Sequence, residues 1–260
     1  MMKKRWMHIA VTGAMVLSAV GLVSCGKKAE AVITTEGEEI TQPQKEYETL
    51  TPSQEKKFSY SDLTVGKIKY LMTEQEVISV LGEPVTSYNA NEKNTAEEVI
   101  KEKVYSYNEL TLIFSEIKGQ YVLTAAASVG ENDIFSRNIK VGDSFDKILE
   151  KYYRDADCMN NTYYSEDKTT VIGKMLYGNF TMDALENVKT KESVEYGLIN
   201  FNGYPSLEGA ESYIVEFTYF EPPYKDSVAS ISDDFAQIAF DIDSEGIITA
   251  IRWYYYPEEE

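Results

Sequence analysis

Leu71-Met72-Thr73-Glu74-Gln75-Glu76-Val77-Ile78-Ser79-Val80-Leu81-Gly82-Glu83-Pro84 is the stretch whose reading decides the fold. Thr73-Glu74-Gln75-Glu76 is a capping box. The Thr73 hydroxyl can accept an early helical N–H while Glu76 reaches back to the Thr73 amide. Val77, Ile78 and Leu81 follow at helical spacing. Gly82 and Pro84 then end the helix, because glycine tolerates the positive φ of a C-terminal cap and proline cannot continue the hydrogen-bond ladder. Downstream the period changes to two. Val104-Tyr105-Ser106-Tyr107, Leu110 to Phe114 and Tyr121 to Val129 read as strands, with turns at Asn108-Glu109 and Lys118-Gly119-Gln120. The unit is a helix followed by an antiparallel meander.

The pattern then begins again. Val141-Gly142-Asp143-Ser144 leads into Phe145, Ile148, Leu149 and Tyr152. Ser144 takes the place of Thr73, Ile148 that of Val77 and Leu149 that of Ile78, an offset of 71 residues throughout. After a longer middle come Ser212 to Phe220, Phe235 to Ile242 and Ile247 to Tyr256. The turn at Asp243-Ser244-Glu245-Gly246 answers the one at Lys118-Gly119. The expected fold is α+β with two tandem units, over 59–137 and 138–260, each a helical segment packed on one face of an antiparallel β-meander.

The phrase Leu-Met-Thr-x-x-x-Val-Ile-x-x-Leu-Gly-x-Pro is similar to the opening of the β-lactamase-inhibitor-protein-like superfamily, which includes the SmpA/OmlA outer-membrane lipoproteins. The tandem arrangement resembles that of β-lactamase inhibitor protein. The resemblance covers roughly residues 60–257. It implies that the uncovered sheet face is the partner-binding surface. The chain departs from the family pattern in four places. Leu71 stands where the family has glycine, and Tyr153 where the second helix would end in glycine. The family disulfides are missing, and the second unit carries an insertion between about 155 and 211.

The N-terminus reads as an export signal. Lys3, Lys4 and Arg5 form a positive n-region, Ile9 to Val23 an apolar h-region, and Leu22-Val23-Ser24-Cys25-Gly26 resembles the lipobox of bacterial lipoproteins. The apolar run is short for a membrane span, which needs about 20 residues. The expectation is a signal peptide over 1–24, acyl chains on Cys25, and an extracytoplasmic protein held to the membrane by lipid. Residues 25–58, polar and acidic with Pro43 and Pro52, read as a disordered tether.

Charge and histidine content exclude more than they suggest. The segment before Cys25 carries three basic and no acidic residues, so the remainder has 22 Lys+Arg against 43 Asp+Glu, a formal net charge of −21. Such a chain will not bind nucleic acid electrostatically. The single histidine, His8, lies in the signal segment. From Cys25 onward there is no Ser-His-Asp or Cys-His machinery and no histidine metal ligand. Cys158 has no second cysteine to pair with once Cys25 is acylated. Asp241-Ile242-Asp243-Ser244-Glu245-Gly246 resembles the start of an EF-hand loop, but Arg252 stands where a bidentate glutamate is required and the flanks alternate as strands, so it reads as a hairpin. No cofactor and no metal are expected.

The 20 Tyr, 10 Phe and 2 Trp supply the candidate binding residues. Strand phase places Tyr213, Val215, Phe217, Tyr219, Ala236, Ile238, Phe240, Ile251 and Trp253 toward the core, given a pairing of Ile242 with Ile247. The opposite face then carries Ile214, Glu216, Phe220, Gln237, Arg252, Tyr254 and Tyr256. Tyrosine and arginine among polar neighbours are the composition of recognition surfaces. The expected partner-binding residues are Glu216, Phe220, Gln237, Arg252, Tyr254 and Tyr256. The function they imply is a lipid-anchored, non-enzymatic binding or assembly protein that contacts a protein or an envelope component. The alternatives are a carboxylate enzyme acting on envelope glycans, and a purely structural envelope lipoprotein.

Overall fold

The computed structural model describes residues 56–93, 99–165, 167–178, 194–220 and 235–256, with residues 91–93, 99–100, Val194, Phe220, Phe235 and Tyr256 described by backbone alone. Cys25 and the signal segment lie outside the described residues. No helix among the described residues is long and apolar enough to cross a membrane.

Among the described residues, twelve strands and two α-helices make up the body. A small hairpin, β1 (Thr64–Val65) and β2 (Ile68–Lys69), precedes helix α1 (Glu74–Leu81). Strands β3 (Thr86–Lys93), β4 (Val99–Tyr107), β5 (Leu110–Ile117) and β6 (Gln120–Ser128) follow. Helix α2 (Phe145–Lys151) then leads to β7 (Thr162–Tyr164), β8 (Val171–Tyr177), β9 (Val194–Asn200), β10 (Ser212–Phe220), β11 (Phe235–Asp243) and β12 (Ile248–Tyr256). Strands β3 to β12 form one ten-stranded antiparallel sheet, in the order β3-β4-β5-β6-β12-β11-β10-β9-β8-β7.

The capping box forms as the sequence dictates. The Glu76 amide donates to the Thr73 hydroxyl at 3.3 Å and the Thr73 amide to the Glu76 carboxylate at 2.8 Å. Gly82, at φ 80°, closes the helix. Of the three apolar positions expected inside, only Val77 is buried, and Leu81 is 38% exposed. An eight-residue helix lying on the sheet through one turn buries one residue fully and leaves its C-terminal end outside. Helix α2 is seated more deeply through Ile148, Leu149 and Tyr152. Tyr152 stacks on Phe217 at 4.2 Å between ring centroids. Ser144 precedes α2 in extended conformation but makes no side-chain cap.

Both hairpin turns next to the centre of the sheet follow their residues. Lys118 and Gly119 both have positive φ, the geometry of a tight turn that suits the twist of the strands. Asp243 accepts the amides of Glu245 and Ile247, each at 2.9 Å, and Gly246 sits at φ 80°. The register differs from expectation in one place. Ile242 pairs with Ile248, not Ile247, and the register shifts beside it before Asp241 meets Ala250. The extra residue, Thr249, is a bulge that restores the phase. Ile251 and Trp253 therefore still face the core, both at 0% exposure. An equivalent shift between β5 and β6 leaves Thr124 unopposed between Leu123 and Ala125.

Each helix start is tied back to a strand in the same way. Leu71 and Met72 exchange hydrogen bonds with Leu123, and Gly142 and Asp143 with Ile248. Leu71 carries φ 63° and Gly142 φ 88°. Leucine thus occupies a left-handed position that glycine fills without a steric penalty.

Two segments carry more structure than the sequence reading assigned to them. The segment read as an insertion, 155–211, contains β7, β8 and the whole of β9, which extend the same sheet. Contacts with the body begin just before Ser59. Phe58 is 2% exposed, Lys57 is paired with Glu195, and the Arg137 guanidinium holds the carbonyls of Lys56 and Lys57. Arg137 also grips Asp62 with Nε and Nη2, both at 2.8 Å, accepts a place over the Tyr152 ring at 3.9 Å, and donates to the Lys151 carbonyl. The entering chain is thereby fastened to the end of α2.

Candidate functional site

The helices, the β1–β2 hairpin and the core lie on one face of the sheet. Strand alternation sends every second residue to the other face. There, Met175, Leu198, Glu216, Ala239, Arg252 and Ala127 stand opposite one another in a row across β8, β9, β10, β11, β12 and β6. A second row runs through Tyr196, Thr218, Gln237 and Tyr254. The structure thus brings Glu216, Gln237, Arg252 and Tyr254 onto one face. Phe220 and Tyr256 flank Phe235 in the backbone register at the end of these strands. Their side chains lie outside the described ones.

This face is not bare at its centre, contrary to the open surface expected. Thr218 is 0%, Ala239 1%, Met175 2%, Leu198 4% and Tyr196 6% exposed. Small or apolar residues form a floor, and the longer polar side chains lie over it. The Gln237 amide donates to the Thr218 hydroxyl at 3.2 Å.

Three charged groups sit on that floor. Arg252 Nη1 donates to the Asp241 carboxylate on the adjacent strand, with side-chain exposures of 13% and 30%. Glu216 lies two strands from Arg252, with Ala239 between them. Its carboxyl is partly buried and is pushed up to about 7 from an ordinary 4.5 by loss of solvent, only partly opposed by the Arg252 charge. The cause is physical: a carboxylate moved out of water must be paired or take up a proton. Burial acts to lower the Arg252 guanidinium, and the charges of Asp241, Tyr254 and Glu216 more than offset it. The phenols of Tyr163 and Tyr196 are raised by burial and then by Glu216, which places both beside the carboxyl.

Asp241, Ala239, Tyr163 and Tyr196 were not singled out from sequence as members of this site. Asp241 shares the parity of Gln237, so strand phase alone could have included it. Its place in the EF-hand-like string concealed that. Tyr163 and Tyr196 belong to β7 and β9, where no strand was expected. No group of His, Cys, Asp and Glu that could hold a metal occurs among the described residues. Cys158 is fully buried, and burial raises its thiol above the usual range.

A second feature lies on the helix side, at the far edge of the sheet. Glu74 of α1 holds Lys103 Nζ through both carboxylate oxygens, at 2.8 and 3.0 Å, and accepts from the Tyr105 hydroxyl. Lys103 also lies over the Tyr121 ring at 4.1 Å. Beside them, Ser87, Tyr88 and Asn89 complete an open groove of about 260 Å³. Its charges are already paired within the fold.

Compared with protein-family models, with curated proteins and with solved structures, the chain matches none.

Proposed function

We propose that the chain is a lipid-anchored, extracytoplasmic binding or assembly protein. Its working surface is the sheet face turned away from the helices. The observation that carries this reading is the cluster of Glu216, Arg252 and Asp241 with Tyr254 and Gln237 around it, on the face turned away from both α-helices of the described residues. Arg252 presents a fork of donors and Tyr254 a large ring with a polar tip, a combination enriched at binding hot spots. The lipobox-like Leu22 to Gly26 supports attachment through Cys25. The strong negative charge makes acyl chains necessary for that attachment, because an anionic membrane surface repels the body.

The body is proposed to be two divergent copies of one unit, akin to the β-lactamase-inhibitor-like arrangement. Matching details support this. The bridge Thr73–Val122 corresponds to Ser144–Ile247. The bulged tripeptide Leu123-Thr124-Ala125 corresponds to Ile248-Thr249-Ala250.

The test uses the lipidated full chain as bait in solubilised native envelope. Arg252→Ala and Tyr254→Ala should each weaken capture by about 1–3 kcal/mol, roughly 5- to 150-fold. Capture that both variants leave unchanged would sink the assignment of the face. Cys25→Ser should separately abolish membrane retention and lower the mature mass by the acyl chains.

A second reading is favoured by one observation. A carboxyl near 7 beside an ion-paired carboxylate has the make-up of a general acid with a partner. An envelope glycan hydrolysed by the wild-type chain and not by Glu216→Gln would favour that enzyme over the binding protein.

A further inference from the structure

Arg252 stands between two carboxylates on one face of the sheet. Asp241 is on the neighbouring strand and holds its guanidinium. Glu216 is on the strand beyond, and only the methyl group of Ala239 lies in the row between them. A larger residue at 239 would wall Arg252 off from Glu216, and alanine leaves the path clear. The Glu216 carboxyl is hydrogen-bonded to no described residue, and the charge it responds to is that of Arg252.

We propose that Arg252 is a two-position arm, paired with Asp241 while Glu216 carries its proton and drawn across Ala239 to Glu216 when that proton leaves. The energetic argument compares the two ways of leaving a charge alone. Asp241 keeps 30% of its side-chain surface in water, whereas Glu216 sits on a floor of Leu198, Ala239 and Thr218. An unpaired carboxylate is tolerated at the wetter site and is costly at the drier one. The same pairing is also stronger where the local dielectric is lower. Once both are ionised, the guanidinium is therefore better placed at Glu216.

The groups facing Glu216 are consistent with this. Tyr163 of β7 and Tyr196 of β9 offer phenols, not charges, and β11 offers Gln237 and Asp241. Strand β12 offers Arg252 and Tyr254, and β8 the uncharged Met175. Arg252 is the one cation among them. Movement of the arm changes what the surface presents. With Glu216 protonated, Asp241 is capped by Arg252. With Glu216 ionised, Asp241 is bared for a cationic group on a partner. That consequence rests on the reading of this face as a binding surface. The arm itself does not.

The test needs no partner. In the lipidated full chain in detergent micelles, the Arg252 Nε–H and Nη–H resonances are followed by NMR from pH 5 to 9, together with the carbon-13 signal of the Glu216 carboxyl. The expected result is one step shared by both residues, with a midpoint near 7, absent in Glu216→Gln. Asp241→Asn frees the arm permanently and should lower the Glu216 midpoint by at least tenfold in proton affinity. Arg252 resonances that stay flat over this range would overturn the proposal. So would a step that persists in Glu216→Gln, or a Glu216 midpoint that Asp241→Asn leaves in place. Failure of partner capture with an intact titration would remove only the binding reading.

Discussion

Glu216 makes stability depend on pH in the direction opposite to an ion-paired carboxylate. Its folded value, about 7, lies above the 4.5 of the free group. Below 4.5 both folded and unfolded chains carry the proton, and no penalty is present. Between 4.5 and 7 the folded state holds the proton more tightly, so stability falls as pH rises and levels off above 7. Allowing for partial exposure, the penalty at pH 8 is about 2–3 kcal/mol. Glu216→Gln should therefore raise the thermal midpoint at pH 8 by roughly 5–10 °C and leave it unchanged at pH 4. Equal midpoints for the two proteins at pH 8 would show that the carboxyl is better solvated than its surroundings indicate. Trp253 and Tyr254, adjacent in sequence, should behave oppositely. Trp253 is 0% exposed, and Trp253→Ala should cost roughly 3–5 kcal/mol in a denaturant titration. Tyr254 faces the other side and is only partly buried, so Tyr254→Ala should leave the melt nearly unmoved. The reverse order would mean that the faces have been exchanged.

At the scale of elements, the seam between β6 and β12 explains an otherwise odd run of small residues. Ala125, Ala126 and Ala127 stand opposite Tyr254, Trp253 and Arg252. Three large side chains on one strand require small ones on its neighbour, because adjacent strands are only about 4.8 Å apart. Ala126, 1% exposed beneath Trp253, has no room to grow. Ala126→Leu should overpack the core and cost about 1–3 kcal/mol. Ala127→Ser, on the half-buried second face, should cost well under 1 kcal/mol by the usual measure of surface changes. Similar losses for both in urea unfolding would argue against a seam limited by the indole. The capping box of α1 was readable because its four residues are contiguous. The shallow seating of that helix was not, because it depends on packing against distant strands.

At the scale of the whole molecule, the two sequence units are not independent bodies. Tyr60 and Tyr70, from the entry to the first unit, pack against Tyr219 and Tyr255 of the second, at 5.1–5.7 Å between ring centroids. Arg137 ties Asp62 to the end of α2. The sheet runs unbroken across the junction. Residues 56–137 and 138–260 expressed separately should each lack a cooperative melt, and the intact chain should unfold in one transition. A native-like melt for 56–137 alone would show that the first unit carries its own core. Limited proteolysis of the intact chain should not cut between Lys56 and Asp62, where Arg137 and the buried Phe58 hold the backbone.

The sequence by itself determined the local grammar of this protein. Capping residues, glycine turns and alternating strands act over a few neighbouring positions, and from them came α1, α2, β4 to β6 and β10 to β12, with the described side chains of the C-terminal strands divided between the two faces. The same alternation put Glu216, Gln237, Arg252 and Tyr254 on one side. Tertiary structure alone decided the rest. Joining two meanders into one sheet depends on pairing β6 with β12, residues more than 120 apart, which no local pattern encodes. Strands β7 to β9 lie in a stretch whose turns carry no strong signal, and they became strands because β10 offered an edge to pair with. Desolvation of Glu216, and with it the chemistry of the face, arises from Leu198, Ala239 and Thr218 meeting beneath one carboxyl, a property of the assembled sheet.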